Sequence, residues 1–347
     1  MNRKDEHISL ARAFHHKQKE NDFDAVRLIH SSLVKTTAES IDLSTEILGL
    51  KLSVPFYINA MTGGSEKTKK INHDLAIIAR ETDLMMATGS VSAALKDPSV
   101  TDSYTIIREV NPNGLLLANM GAGRTSEDAQ KIVELLQADG LQIHLNVPQE
   151  LVMPEGDNDF YDWPKNIQES IERLNVPVIV KEVGFGMTKE TIQQLQNYGA
   201  KAIDVSGRGG TSFSQIENAR RKKRELSYLD DWGQSTVISL LEAQTIAPLT
   251  ILASGGIRDA YDIFKALCLG AKAVGISATI LDSLMSDGID ATIELIENWK
   301  LQLKRLYLMT DKATTDELIK NPLILSGSPK EWCQARGIDY HQLANRK

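Results

Sequence analysis

The stretch "LTILASGGIRDAYDIFKALCLGAKAVGIS", residues 249–277, contains one complete strand–helix–strand unit. Its apolar runs at 249–254 and 271–277 have the length and composition of buried strands, and the segment between them has helical periodicity after a glycine turn. Nearly continuous apolar strands are typical of a parallel sheet covered on both faces. The stretch therefore predicts an α/β fold.

The same unit recurs along the chain. Predicted strands lie at 54–60, 84–90, 114–120, 141–147, 176–183, 200–206, 249–254 and 271–277. Segments with a 3.6-residue period separate them. Eight strands, each followed by a helix, is the count of a TIM (β/α)8 barrel. An open doubly wound sheet is the alternative that strand count alone does not exclude. We favour the barrel.

The barrel is expected to carry additions at both ends. We interpret residues 1–53 as an N-terminal extension that forms a lid, residues 54–284 as the barrel, and residues 285–347 as C-terminal helices packed on it. Residues 207–235 are too many and too polar for a tight turn, and long loops in compact domains tend to be functional.

The composition excludes several classes of protein. Hydrophobic residues make up 42% and charged residues 24% of the 347, and the net charge is −7, which argues against a nucleic-acid surface or a polybasic membrane patch. Two cysteines cannot form a disulfide framework, and we find no secretory signal and no membrane-spanning run. These features predict a soluble cytoplasmic protein without a nucleic-acid or membrane partner.

Unusual residues collect where the predicted strands end, which is where a TIM barrel places its active site. Glycine turns and small hydroxyl residues follow most of the strands. "SGGIRD" (254–259) and "GISA" (275–278) each lead into a helix, so their amides and helix dipoles predict a phosphate site. Taken singly, either turn could be only a tight connection.

Two further polar features point to the same end of the barrel. Lys181 lies in the buried run "VIVKEV" and needs an anionic or electron-rich partner, either a carboxylate such as Glu182 or a cofactor such as reduced flavin. In "LQIHLNVPQE" (141–150) polar residues alternate with apolar ones and include a histidine and amides, which are poor choices for a strand face turned to water. That row is expected to face a ligand.

These motifs together resemble a known family. "RKDEH" (3–7), "AMTGGS", "ALKDPS", "LANMGA", "QIHLNVPQE", "VKEVGFGM", "DVSGRGGTSF" and "ASGGIRDAYD" are similar, in the same order, to the motifs of type 2 isopentenyl-diphosphate isomerase. The resemblance runs from Arg3 to about residue 285. It implies a TIM barrel, FMN that must be reduced, with NAD(P)H as reductant, a Mg²⁺ ion, and a homo-oligomer, tetrameric or octameric.

The resemblance also implies roles for individual residues. Arg3, Lys4, His144, Asn146 and Gln149 would bind the diphosphate substrate, with His144 and Asn146 as hydrogen-bond donors, and Glu150 would hold the Mg²⁺. Residues at the strand ends would contact FMN, with Lys181 near the electron-rich edge of its ring. They are Ala60, Met61, Thr62, Ser90, Asn119, Lys181, Ser206, Thr211, Gly256, Ile257, Arg258, Ser277 and Ala278.

The implied reaction moves a double bond between isopentenyl and dimethylallyl diphosphate with no net redox change. Reduced FMN would carry the proton, with Gln149 or Glu182 as possible assistants. One motif departs from the family: Val91 and Ser92 follow "GS" where some members have Gln and Arg, which puts a diphosphate contact from that loop in doubt.

Two alternatives remain open at this point. An FMN-dependent α-hydroxy-acid oxidase is similar in its strand-7 turn but carries a histidine base after strand 6, where this chain has Arg208 in "SGRG". A non-enzymatic flavin- or phosphate-binding protein would need neither the amide row nor the metal carboxylate.

Overall fold

The computed structural model describes residues 3–15, 20–246 and 248–346. Its strands in this part of the chain, in chain order, are β1 (Val26–Leu28), β2 (Thr45–Ile47), β3 (Leu50–Leu52), β4 (Phe56–Ile58), β5 (Met86–Ala87), β6 (Leu116–Gly121), β7 (Gly140–His144), β8 (Val178–Lys181), β9 (Ala202–Asp204), β10 (Thr250–Ser254), β11 (Ala273–Ile276) and β12 (Leu323–Leu325). Strands β4 to β11 form one closed parallel barrel in which β11 pairs with β4.

Helices follow every barrel strand. The α-helices are α1 (Arg3–Ala13), α2 (Glu66–Glu81), α3 (Ser92–Lys96), α4 (Asp102–Val110), α5 (Ser126–Leu136), α6 (Val147–Val152), α7 (Trp163–Arg173), α8 (Lys189–Asn197), α9 (Phe213–Arg220), α10 (Thr236–Ala243), α11 (Ala260–Cys268), α12 (Ala278–Met309), α13 (Gly327–Arg336) and α14 (His341–Ala344). The predicted (β/α)8 barrel is confirmed, and the open doubly wound sheet is wrong because the sheet closes.

Side-chain caps explain where several barrel helices begin. Ser65, Thr125 and Thr188 each accept a hydrogen bond from a backbone amide in the first turn of α2, α5 and α8. Such a cap satisfies an amide that has no partner within the helix and typically stabilises it by about 1 kcal/mol.

The barrel interior has an apolar end and a polar end. The apolar cluster contains Ile47, Leu52, Tyr57, Met85, Ala87, Leu117, Ile179, Ala202, Leu252 and Ala273. Ile47 and Leu52 belong to the β2–β3 hairpin, which therefore covers the amino-terminal mouth. Polar residues follow toward the carboxyl ends of the strands, where the site lies.

The fourth predicted strand is shorter than expected. β7 ends at His144 and α6 begins at Val147, so residues 145–147 are not part of the strand. Pro148 lies in the first turn of α6, where its missing N–H costs no hydrogen bond. The expectation that one strand face carries the whole polar row is wrong, because Asn146 and the residues after it leave the strand.

The two ends of the chain pack together outside the barrel. β1 pairs antiparallel with β12, and the predicted boundary at 284/285 falls inside α12, which is interrupted at Gly288 (φ 88°). No helix among the described residues is long and apolar enough to cross a membrane.

Candidate active site

A cavity of about 2070 Å³ opens at the carboxyl ends of the barrel strands. It brings together the predicted site residues, with one exception. Those lining it are Arg3, Lys4, Ala60, Met61, Thr62, Ser90, Asn119, His144, Asn146, Gln149, Glu150, Lys181, Ser206, Thr211, Gly256, Ile257, Arg258, Ser277 and Ala278. Ser92 also lines it, whereas Glu182 does not.

Beneath the cavity lies a buried carboxylate that sequence reasoning did not identify. Asp204, at the end of β9, is completely buried. Its carboxylate accepts hydrogen bonds from Ser254 Oγ (2.9 Å) and from the backbone amide of Ser206 (3.1 Å). A buried carboxyl group needs such donors, because a buried polar group without partners is costly.

Lys181 is the basic residue near Asp204. It lies opposite Asp204 on the neighbouring strand, and its Nζ donates to the Glu182 carbonyl (2.6 Å). Burial lowers the pKa of Lys181, and the charges of Asp204 and Glu182 oppose this effect. Lys181 therefore brings a partly compensated positive charge to the cavity.

The Glu182 carboxylate does not line the cavity, although Glu182 was predicted as a possible assistant in proton transfer there. Glu182 Oε2 accepts hydrogen bonds from the backbone amides of Val183 (2.7 Å), Gly184 (3.0 Å) and Phe185 (2.7 Å). Burial raises the pKa of Glu182 to about 7. The residue holds the loop after β8, and of the two predicted assistants only Gln149 reaches the cavity.

One of the two helix starts in the predicted phosphate site is already capped by a carboxylate. Asp259 caps α11 by accepting hydrogen bonds from the amides of Tyr261 (2.9 Å) and Asp262 (3.0 Å), so the start of this helix already has a carboxylate. Ser277 makes no side-chain cap at the start of α12. The amides available to an anion are thus those of α12 and of the Gly255–Gly256 turn.

Glycines allow this turn to approach the neighbouring loop. Gly256 has φ +76°, and a Cβ added to it would lie 3.0 Å from the backbone of Gly209. Within residues 3–15, 20–246 and 248–346, the amide of Gly256 donates no hydrogen bond. This backbone can therefore cradle a phosphate closely.

Arg258 contributes to the phosphate turn indirectly. Its guanidinium donates to Asp24 (2.6 Å) and Asp262 (2.7 Å). The carboxylates that it contacts lie on the N-terminal segment and on α11, so much of its charge is compensated before any ligand binds. Asn21 Nδ2 also donates to the Gly256 carbonyl (2.9 Å), which ties the N-terminal segment to the turn.

An FMN molecule fits the donor set of this half of the cavity. Its phosphate would lie against the Gly256 turn and α12, and its ring near Lys181 and residues 60–62. Thr62 Oγ1 is buried and has no hydrogen-bond partner among the described residues, as expected of a hydroxyl that faces a polar ligand.

The other half of the cavity carries the predicted diphosphate residues. α1 lies across the mouth of the barrel, where Asp5 accepts a hydrogen bond from Ser65 Oγ (2.7 Å) and Glu6 pairs with Arg220 (3.2 Å). α1 thereby adds Arg3 and Lys4 to the lining. Burial, with a smaller contribution from the Arg3 charge, lowers the pKa of Lys4 to about 8.

A second buried carboxylate lies behind this half. Glu217 on α9 is completely buried; its Oε1 accepts a hydrogen bond from Gln149 Nε2 (2.8 Å) and lies 3.1 Å from His7 Nε2. Its Oε2 accepts from Arg220 (2.6 Å). Burial raises the pKa of Glu217, but the neighbouring His7, Gln149 and Arg220 together lower it by more, so that it falls to about 2. Sequence reasoning missed Glu217 because α9 carries no motif that marks it.

Glu150 is the candidate metal carboxylate. Its oxygens accept hydrogen bonds from Asn146 Nδ2 (2.8 Å) and from the amide of Asp157 (3.0 Å). The described residues contain no cluster of three or more His, Cys, Asp or Glu side chains able to hold a metal. A lone carboxylate is nevertheless suited to Mg²⁺ when substrate phosphates and waters complete the coordination.

Comparison with known proteins shows the class of protein to which this chain belongs. Residues 121–321 match the family model for FMN-dependent dehydrogenase. A mutant flavocytochrome b2 superposes with a TM-score of 0.69 at 20% identity, covering 92% of this chain and 83% of that one. Mandelate oxidase with (S)-2-phenylpropionate gives a TM-score of 0.65 at 15% identity, covering 92% and 90%. The fold and the matched model define an FMN-dependent (β/α)8-barrel enzyme.

Closer relatives specify the family. The chain is 49% identical to an isopentenyl-diphosphate delta-isomerase of Listeria welshimeri, covering 99% of this chain and 97% of the relative. It is 50% identical to that of Latilactobacillus sakei, covering 97% and 96%, and 46% identical to that of a Streptomyces species, covering 99% and 95%. The chain belongs to the isopentenyl-diphosphate delta-isomerases, a family of isomerases, and the resemblance found in its motifs is confirmed.

Proposed function

We propose that this protein interconverts isopentenyl diphosphate and dimethylallyl diphosphate in the cytoplasm, using FMN reduced by NAD(P)H and Mg²⁺ bound to the diphosphate. We further propose that it acts as a homo-oligomer, a tetramer or an octamer. The observation that carries the proposal is the position of α1, because it adds Arg3 and Lys4 to a cavity that already contains the amides of Asn146 and Gln149.

The two halves of the cavity have the polarity that this reaction needs. Cations and amides on one side bind and orient a diphosphate, and Glu150 presents a carboxylate to its metal ion. The Gly256 turn and α12 bind the cofactor phosphate on the other side. The hydrocarbon part of the substrate then lies between them, near Lys181 and Gln149.

When bound in its reduced form, FMN supplies the proton carrier for the isomerisation. The protein contributes the surroundings. Lys181 stabilises negative charge on the cofactor, Gln149 is held at the reacting carbons by Glu217, and α1 excludes water from above. Glu182 takes no acid–base step in this reaction, because its carboxylate accepts hydrogen bonds from the loop amides.

Product formation tests the proposal. Protein loaded with FMN and reduced by NAD(P)H is incubated with isopentenyl diphosphate and Mg²⁺, and dimethylallyl diphosphate is followed by proton NMR. We expect no product with oxidised FMN, and many turnovers for each NAD(P)H consumed after reduction. Consumption of one NAD(P)H per product would contradict isomerisation and favour an oxidoreductase.

A further inference from the structure

A chain of side-chain amides connects the buried floor of the barrel to His144. It starts at Asn59, whose Oδ1 accepts a 2.8 Å hydrogen bond from the Ala60 backbone amide. A backbone amide can only donate, so this oxygen is identified unambiguously. Asn59 Nδ2 lies 3.4 Å from Asp204 Oδ2, a carboxylate oxygen that accepts, and this contact requires the same orientation.

The orientation of Asn59 fixes each following amide. Asn59 Oδ1 also accepts from Gln142 Nε2 (3.1 Å), so Gln142 Oε1 faces the other way and accepts from Asn119 Nδ2 (3.2 Å). Asn119 Oδ1 consequently faces His144 Nδ1 at 2.9 Å. Because this oxygen can only accept, the proton of the hydrogen bond belongs to Nδ1 of His144.

The second ring nitrogen of His144 is therefore an acceptor. Nε2 makes no hydrogen bond with any residue in the described ranges, and the ring lines the cavity. A Cβ on Gly121 would lie 3.3 Å from Nε2, so the glycine leaves space beside this nitrogen. Burial, followed by the charges of Lys181 on β8 and Lys4 on α1, lowers the pKa of His144 to about 3 and keeps the free imidazole neutral.

This arrangement conflicts with a simple donor role for His144. Diphosphate oxygens are acceptors, and two acceptors cannot share a hydrogen bond without an added proton. We propose that Asn59, Gln142 and Asn119 act as positioning residues that fix His144 as the Nδ1–H tautomer, so that the diphosphate binds with uptake of one proton into the bond between Nε2 and a phosphate oxygen. The proposal rests on the proposed function, because it takes a diphosphate as the ligand.

The tautomer is tested directly on the unmodified protein with oxidised FMN bound. Histidine labelled with nitrogen-15 gives two-bond proton–nitrogen correlations that distinguish Nδ1–H from Nε2–H, and the His144→Gln variant identifies the signals of His144. We expect the Nδ1–H pattern. An Nε2–H pattern would overturn the proposal, whether or not the diphosphate binds.

Proton uptake is tested by calorimetry with inorganic pyrophosphate and Mg²⁺. Binding enthalpies in buffers of different ionisation enthalpy give the number of protons taken up. The pKa of Lys4 is about 8, so Lys4 can add its own proton uptake when the ligand binds. The informative quantity is therefore the difference in proton uptake between the unmodified protein and Gln142→Met. This substitution breaks the amide chain at a residue that does not line the cavity. We expect the unmodified protein to take up about one more proton than this variant. By linkage, its affinity should fall by an additional factor of about ten for each pH unit above neutrality.

A matched control separates the amide chain from general disturbance of the barrel floor. Tyr57 OH donates to Asp204 (3.4 Å) and lies 3.5 Å from Gln142 Nε2. Gln142 keeps its shorter bond to Asn59 Oδ1 (3.1 Å) without this hydroxyl, so Tyr57→Phe should retain the extra proton. Equal uptake by the unmodified protein and Gln142→Met would overturn the proposal. Failure of the unmodified protein to bind pyrophosphate would instead contradict the diphosphate site of the proposed function, and the NMR result would still decide the tautomer.

Discussion

Gln149 Nε2 and Glu217 Oε1, on α6 and α9, are joined by a 2.8 Å hydrogen bond. This bond directs the Gln149 carbonyl oxygen toward Asn146 Nδ2 (3.2 Å). Since Glu217 also contacts His7 on α1, one buried carboxylate orients the Gln149 amide in the cavity lining and holds the N-terminal helix beside it.

We therefore predict that Glu217→Gln lowers kcat by at least about tenfold. An amide has one acceptor oxygen, whereas the two carboxylate oxygens accept from Gln149 and from Arg220, so the variant cannot satisfy both donors and no longer fixes the Gln149 amide. FMN affinity should not change. The control is Glu225→Gln, an exposed carboxylate paired with Arg221. Steady-state kinetics and melting temperature are measured together, and unchanged kcat in a folded variant would exclude the positioning role.

The N-terminal helix α1 should affect substrate binding but not FMN binding. Deleting residues 1–8 removes Arg3 and Lys4 from the cavity together with the contacts of Asp5 and Glu6 to the barrel. We expect KM for isopentenyl diphosphate to rise at least about tenfold, the cost of one charge-assisted contact of 1.4 kcal/mol or more. FMN titration should give the unmodified affinity. If KM and kcat are both unaffected, α1 is not a lid.

Lys181 should raise the affinity of the protein for reduced FMN. We expect Lys181→Ala to leave the barrel folded and to weaken binding of reduced FMN more than that of oxidised FMN, because the lost cation faces the form with more negative charge. The measurement is FMN affinity in both redox states. Lys189→Ala, on the outer helix α8, is the control. Equal affinities and equal turnover would leave Lys181 with a structural role only, through its hydrogen bond to the Glu182 carbonyl.

Glu150 is tested through the metal. Glu150→Gln keeps the shape of the side chain but replaces the carboxylate with a poor Mg²⁺ ligand. Activity should fall steeply at ordinary Mg²⁺ concentration, while FMN binds normally across the cavity. The readout is the Mg²⁺ dependence of turnover. A variant with an unchanged Mg²⁺ response would remove Glu150 from the metal site.

Glu182 predicts a pH dependence of stability. Its folded-state pKa of about 7 lies above the ordinary 4.5, so the folded state binds the proton more tightly than the unfolded state. The associated stabilisation is present below pH 4.5 and is lost as the pH rises through 7, by about 3 kcal/mol in total. Glu182→Gln keeps an acceptor for the loop amides and should abolish this loss between pH 5 and 8 in denaturant titrations. The same pH dependence in the variant would disprove the assignment.

Much of the architecture could be predicted because strand periodicity and the glycine turns are local properties. All eight predicted barrel strands are present, and the residues expected at their ends line one cavity. Local pattern failed at β7, where apolar alternation continued through Val147 although α6 begins at that residue, with Pro148 in its first turn. The helical turn moved Gln149 and Glu150 off the strand face.

Residues that position other residues could not be predicted from local sequence patterns. Asp204 lies in a motif that was recognised, but only the register between β8 and β9 reveals its pairing with Lys181. Glu217 and Gln149 are 68 positions apart in sequence, and α9 gives no local signal of their contact. Arg258 had the expected position, but the Asp24 carboxylate that binds it comes from the far end of the chain.

The pairing of β1 with β12 has a consequence for biosynthesis. Val26–Leu28 has its strand partner only when Leu323–Leu325 has left the ribosome, although every barrel strand has been made by then. The segment that carries Asn21 and Asp24 to the Gly256 turn therefore docks after the barrel can close. Domains fold as units during synthesis. The nascent barrel is therefore expected to form first without the contacts of Asn21 to Gly256 and of Asp24 to Arg258. Full cofactor retention would then be acquired only after Leu323–Leu325 has been synthesised and has paired with β1.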